Sequence, residues 1–143
     1  MFTLLRVFDF SAGHTLARSD WSEEKNRQVF GKCSNPQGHG HNYRLEVLVE
    51  GPLDSETQMV LDAAKLDEIV HNEVFIDLDH KNLNKEVPWL AGKLPTTEVL
   101  ADGIFTRLEK AIAAASSTAK LAEIRLWETR RICVLRRASD RKE

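Results

Sequence analysis

Tyr43, Leu45, Val47 and Val49 alternate with Arg44, Glu46 and Glu50 between His41 and Gly51. Successive side chains of a strand point to opposite faces, so this spacing predicts a strand in a sheet with one packed face and one wet face. Leu48 breaks the polar set and implies partial cover on the second face. Gly51-Pro52 ends the run.

The remaining elements fit around that strand. Phe2 to Ala12 reads as another strand, with Phe2, Leu4, Phe8, Phe10 and Ala12 on one parity and Arg6 interrupting. Thr15 to Gln28 is polar and irregular, a loop or short helix carrying Trp21. Met59-Val60-Leu61 reads as a short strand. Asp62 can cap a helix from Ala63 to about Phe75, whose apolar stripe is Leu66, Ile69, Val70 and Val74. His71 falls off the stripe, at an exposed position. Pro88 to Leu94 is predicted loop. Thr96 is the expected cap of a second helix, with Glu98 in its first turn and a stripe of Leu100, Ile104, Leu108, Ala111, Ile112 and Ala115. Lys120 to Glu128 alternates as a strand, and Arg131 to Arg137 is the last one. The order ββααββ predicts an α+β layer: a four-stranded antiparallel sheet with two helices on one face. Two open edges could pair with neighbours and close a barrel, so an oligomer is expected.

The 143 residues fit one domain spanning 1–143. A 42% hydrophobic and 29% charged composition is that of an ordinary globular chain, and a net charge of −2 leaves no nucleic-acid or membrane footprint. No apolar run approaches a membrane span, and the opening residues alternate rather than forming a signal peptide. Cys33 and Cys133 are too few and too far apart for a disulfide framework, which favours free thiols in a reducing cytoplasm. Arg136 to Glu143 reads as a charged, frayed tail.

The chemistry concentrates in VFGKCSNPQGHGHNY, from Val29 to Tyr43. His39 and His41, separated by Gly40, point to the same side of a strand and can face one metal ion. Cys33 stands upstream across a loop marked by Asn35-Pro36 and Gly38, which could fold its thiol over that ion. His14 continues the parity of Phe10 and Ala12 at the end of the first strand and could reach the same ion. Each residue alone has a plainer reading: a strand-end or surface histidine, a small buried cysteine. Asp79-His80 is either a proton relay, in which the carboxylate orients the ring, or a turn with a capping acid and an exposed imidazole. Pro95-Thr96-Thr97-Glu98 is explained by capping, although its hydroxyls and helix-start N–H groups could also hold a polar ligand. Glu128 shares the parity of Ala122, Ile124 and Leu126, where a carboxylate is costly unless paired. It could grip a guanidine-like group through two parallel hydrogen bonds, or pair with Arg130 or Arg131. Cys133 reads as a core filler.

Taken together, SAGH, KCSNPQGHGHNY, LDHKNLN, PTTE and WET, in that order, resemble the 6-pyruvoyl-tetrahydropterin synthase family across nearly the whole chain. Gln58 departs from the pattern, in a turn where a glycine is expected. The resemblance implies a tunnelling fold, with subunits paired edge to edge into trimeric barrels and two trimers stacked as a hexamer. It implies Zn2+ on His14, His39 and His41 with one open position. It implies Cys33, Asp79 and His80 as the acid–base set, and Glu128 as anchor of the pterin ring with Thr96, Thr97 and Glu98 nearby. The resemblance further implies that each site draws on more than one subunit. The implied reaction turns 7,8-dihydroneopterin triphosphate into 6-pyruvoyl-tetrahydropterin with loss of triphosphate. Arg27, Lys32 and Lys81 are the basic residues suggested for the phosphates. Two alternatives stand beside it: the 6-carboxytetrahydropterin synthase of the queuosine route, in which the cysteine usually stands closer to the HGH, and a non-catalytic pterin- or zinc-binding protein.

Overall fold

Five strands form one sheet in a computed structural model that describes residues 1–138. They are β1 (Phe2–His14), β2 (His39–Gly51), β3 (Lys81–Asn82), β4 (Lys120–Thr129) and β5 (Ile132–Arg137), in the order β3-β1-β2-β4-β5. β1 and β2 pair antiparallel over their full length, from Phe2 opposite Gly51 to His14 opposite His39. The anticipated four-stranded sheet thus gains β3, which runs parallel to β1. Two residues carry no periodicity, so sequence cannot announce such a strand. It is held by chain geometry instead, with the amides of His80 and Leu83 donating to the carbonyls of Ser11 and Gly13 at 2.6 and 2.8 Å.

The helices are α1 (Glu23–Phe30), α2 (Ala63–Val70), α3 (Ile76–Leu78) and α4 (Thr97–Ala115). A π-helical turn, His71–Phe75, joins α2 to α3, so residues 63–78 form one helical run and the architecture has three helical stretches. Asp62 and Thr96 cap α2 and α4 through their side chains, as expected. α1 begins within the stretch Thr15 to Gln28, which reads in sequence as a loop or short helix, and runs past its end. Ser22 caps it, and its buried residue is Asn26, whose amide exchanges hydrogen bonds with the Arg18 backbone. A helix without an apolar stripe leaves no periodic signal.

Phe10, Tyr43, Leu45, Val47 and Val49 from β1 and β2 pack with Leu66, Val70, Leu100, Ile104 and Leu108 from the helices in one buried cluster. Each such side chain contributes about 1.5–3 kcal/mol by leaving water. The opposite face is polar but partly covered: Glu46 is buried and bridges Arg44 and Arg125 at 3.1 and 3.5 Å, and Leu48 beside it is half-buried.

β4 corrects the expected parity. An irregularity opposite Leu48/Val49 leaves Ala122 as the extra residue, so Leu121 joins Ile124 and Leu126 in the core. A second one, between Trp127 and Thr129, leaves Glu128 without a partner on β5. Such bulges re-aim a side chain. Met59-Val60-Leu61 is not a strand: the Asp54 amide donates to the Met59 carbonyl and closes a turn. Gln58 has φ 60° there, the left-handed region that favours the glycine expected at that position. Pro88–Leu90 is a 3₁₀ turn within the predicted loop. Trp89 packs so closely on α4 that a Cβ at Gly103 would lie 2.5 Å from its ring.

Arg136 and Arg137 belong to β5, and Arg136 Nε contacts Asp102 Oδ1 at 3.0 Å, so the predicted tail begins later than expected. The rest of it, residues 139–143, lies outside the described residues. Both cysteines are free thiols. Among the described residues no helix is long and apolar enough to cross a membrane.

Candidate functional site

The register of β1 and β2 assembles the histidines. His14 pairs with His39 and Ala12 with His41, so all three imidazoles extend the row that begins with Phe10 and Tyr43. Their ring centroids are 4.6, 5.1 and 4.8 Å apart, and one nitrogen from each lies within 4.8 Å of the others. His14 is 2% exposed, and its Nδ1 is 2.8 Å from the Pro95 carbonyl. A carbonyl only accepts, so His14 carries its proton on Nδ1 and turns the Nε2 lone pair toward the cluster. A second hydrogen bond that fixes the tautomer in this way is typical of a metal-ligating histidine.

These residues fit a metal ion. His14 Nε2 and His39 Nε2 are 3.0 Å apart, close to the roughly 3.3 Å expected of two nitrogens on a tetrahedral ion at about 2.0–2.1 Å. His41 Nε2 is buried and makes no hydrogen bond among the described residues; Glu128 Oε1, 3.1 Å away, lies off the hydrogen-bond direction. His39 and His41 are both held below the ordinary imidazole pKa, first by burial, with neighbouring histidines lowering and Glu128 raising it. Neutral imidazoles are the form that binds metal.

Glu128 closes the other side. The bulge turns its carboxylate into the chain, where Oε1 faces His41 and Oε2 accepts a short hydrogen bond from the Thr97 hydroxyl. Neither Arg130 nor Arg131 is its partner among the described residues. Thr97 is buried, Thr96 spends its hydroxyl on the Val99 amide as the helix cap, and Glu98 is exposed. Pro95 and Thr97 therefore tie the start of α4 to both His14 and Glu128. In sequence this link is masked because capping alone accounts for the segment.

Cys33 is half-buried in the 3₁₀ turn Gly31–Ser34, and its carbonyl accepts the Leu16 amide at 2.8 Å, which fixes the turn beside the end of β1. Tyr43, two residues beyond His41, is fully buried, and its hydroxyl has no partner among the described residues. Burial, and then the charges of Glu128 and Cys33, push its pKa upward, so it stays protonated. Nothing in the sequence marks this buried hydroxyl, since Tyr43 reads there as one more core aromatic.

Asp79 and His80 are brought together: Asp79 Oδ1 is 3.0 Å from His80 Nδ1 and accepts the Ser11 amide. The His80 side chain is 81% exposed, at a left-handed backbone position with φ 61°. No hydrogen bond or ring contact joins it to the histidine cluster or to Cys33 among the described residues. His80 and Lys81 line a cavity of about 300 Å³ with Ser11, Gly13, Gly40 and His41 of the cluster.

Residues 3–138 match the family described as 6-pyruvoyl tetrahydropterin synthase. The chain belongs to the 6-pyruvoyl tetrahydropterin synthase family. Among curated relatives, the 6-pyruvoyl tetrahydrobiopterin synthase of Poecilia reticulata is 44% identical over 126 residues, covering 88% of this chain and 83% of that one. The human protein of the same name is 40% identical, covering 87% and 83%. The solved structure of the Caenorhabditis elegans 6-pyruvoyl tetrahydropterin synthase superposes with a TM-score of 0.86 at 33% identity, covering 96% of this chain and 95% of that one. Membership in the 6-pyruvoyl tetrahydropterin synthase family accounts for the α+β fold, and the three histidines supply the place where a member could hold a metal.

Proposed function

We propose that this chain is a zinc-dependent lyase that converts 7,8-dihydroneopterin triphosphate to 6-pyruvoyl-tetrahydropterin with elimination of triphosphate. The observation that carries the reading is a histidine cluster flanked by a carboxylate that no arginine among the described residues neutralises: His14, His39 and His41 within 4.8 Å, and Glu128 at 3.1 Å from His41. Three nitrogen ligands leave a fourth position for substrate oxygens, where bound zinc would stabilise developing negative charge.

The protein groups divide the remaining work. Glu128, held by Thr97, accepts hydrogen bonds from the amino and N–H edge of the pterin and so fixes the side chain that reacts. Cys33, as thiolate, takes the carbon-bound proton, and His80, oriented by Asp79, moves the other proton. Thr96 and Glu98 stay near the ring through the first turn of α4.

The exposed His80 suits a site completed by a second copy of the chain. β5 is an open sheet edge with Ile132 and Leu135 exposed, and the start of β1, beyond the reach of β3, is another with Phe2, Leu5 and Val7 exposed. Edge pairing between copies covers both and supports a barrel-forming homo-oligomer, a hexamer built as two trimers. The setting is cytoplasmic, in keeping with the free thiols.

The test is the mass of the product from purified protein and 7,8-dihydroneopterin triphosphate. A retained three-carbon side chain with one triphosphate released per turnover is expected. A carboxyl product would move the chain to the queuosine-route reaction, and no product would leave a binding protein.

A further inference from the structure

Resting on the reading just given, we propose that the cavity between α1 and the turn carrying Cys33 is an oligophosphate subsite that receives the substrate's triphosphate through Arg27 and Lys32. This cavity holds about 530 Å³, inside the range of roughly 300–1,000 Å³ usual for small-molecule sites. Thr15, Glu23, Arg27, Lys32, Ser34 and Asn35 contribute to its lining.

Its walls are fixed. The Thr15 amide donates to Asn84 Oδ1 at 2.7 Å, the Thr15 hydroxyl donates to the Asn35 carbonyl at 3.3 Å, and the Ser34 hydroxyl donates to the Gly31 carbonyl at 2.8 Å. The cations are not. Arg6, Arg18, Arg107, Arg125 and Arg136 all sit on carboxylates, but neither Arg27 nor Lys32 has an ion pair or side-chain hydrogen bond among the described residues. Two cations against the single carboxylate of Glu23 leave the rim net positive. A guanidinium forks onto phosphate oxygens, and an ammonium adds a mobile point charge.

Position joins this cavity to the reaction. Thr15 follows the metal-site residue His14, and Lys32 and Ser34 bracket Cys33. When Cys33 removes the carbon-bound proton, the electron pair left behind forms the carbon–carbon double bond. The electron pair of the breaking C–O bond departs on the phosphate oxygen. Cations beside Cys33 stabilise the charge that accumulates there.

The experiment is calorimetric titration of the zinc-loaded protein with inorganic tripolyphosphate and, separately, with phosphate-free 7,8-dihydroneopterin. It compares wild type, the double variant Arg27→Gln/Lys32→Gln and the distant control Lys120→Gln. Any extraction of zinc by tripolyphosphate is common to the three and cancels in the comparison. The double variant should bind tripolyphosphate at least tenfold more weakly and dihydroneopterin unchanged, with the control like wild type. Equal tripolyphosphate affinity in wild type and double variant, or none in either, overturns the subsite while leaving the pterin reading intact. Tripolyphosphate bound through Arg27 and Lys32 by a protein that ignores dihydroneopterin would sustain the anion site and overturn the pterin reading instead.

Discussion

His41 Nε2 and Glu128 Oε1 stand 3.1 Å apart, and the Thr97 hydroxyl holds the second oxygen of the same carboxylate. The carboxylate is thus aimed by the β4 bulge and by α4 but is not neutralised by an arginine among the described residues. Glu128→Gln keeps the shape and removes the charge. Hydrogen bonds to a charged group contribute about 1.5–3 kcal/mol, so dihydroneopterin should bind at least tenfold more weakly, with zinc content unchanged. Calorimetry reads this directly, and undiminished affinity would remove Glu128 as the pterin anchor.

Cys33→Ala separates proton transfer from metal binding. Cys33 is not among the three grouped ligands. Its loss should leave zinc stoichiometry intact while turnover falls by the 10²–10⁴-fold, roughly, that a positioned base supplies. Wild-type turnover in this variant would mean that another group takes the proton.

Tyr43→Phe should not destabilise the fold. The hydroxyl is buried without a partner among the described residues, and an unsatisfied buried group costs about 1–3 kcal/mol. The midpoint of thermal unfolding is expected to hold or rise. A clear fall would reveal a hydrogen bond to the hydroxyl that the fold does not display.

The zinc-free protein should gain stability as pH rises toward 6.5. His39 and His41 have folded pKa values below their ordinary 6.5, chiefly through burial. Between those lowered values and 6.5 the unfolded chain binds more protons than the folded one, so stability increases with pH across that window and levels off above it. Urea unfolding of metal-free wild type and His41→Gln over a pH series checks this, with a smaller slope expected in the variant. A flat or falling wild-type profile would contradict it.

What the sequence discloses and what it hides have physical causes. His14, His39 and His41 were legible because a strand has a period of two, which fixes the shared face of His39 and His41 and lets parity place His14. Glu128 stood out because a carboxylate on an apolar parity needs a reason. Its partners did not: bulges in β4 shift the parity, so neither Leu121 in the core nor the turn of Glu128 toward Thr97 follows from counting. α1 buries Asn26 rather than an apolar stripe, and β3 is two residues long, so neither has a pattern to read. The pairing of Asp79 with His80 was visible as adjacency, but its exposure depends on a backbone turn that only coordinates show.

Metal content per chain tests the central claim most directly. Wild type purified with zinc present should carry one ion per chain, and His14→Ala, His39→Ala and His41→Ala should each lose most of it while Cys33→Ala keeps it. A wild-type protein without stoichiometric metal, or histidine variants that hold zinc as wild type does, would contradict the account.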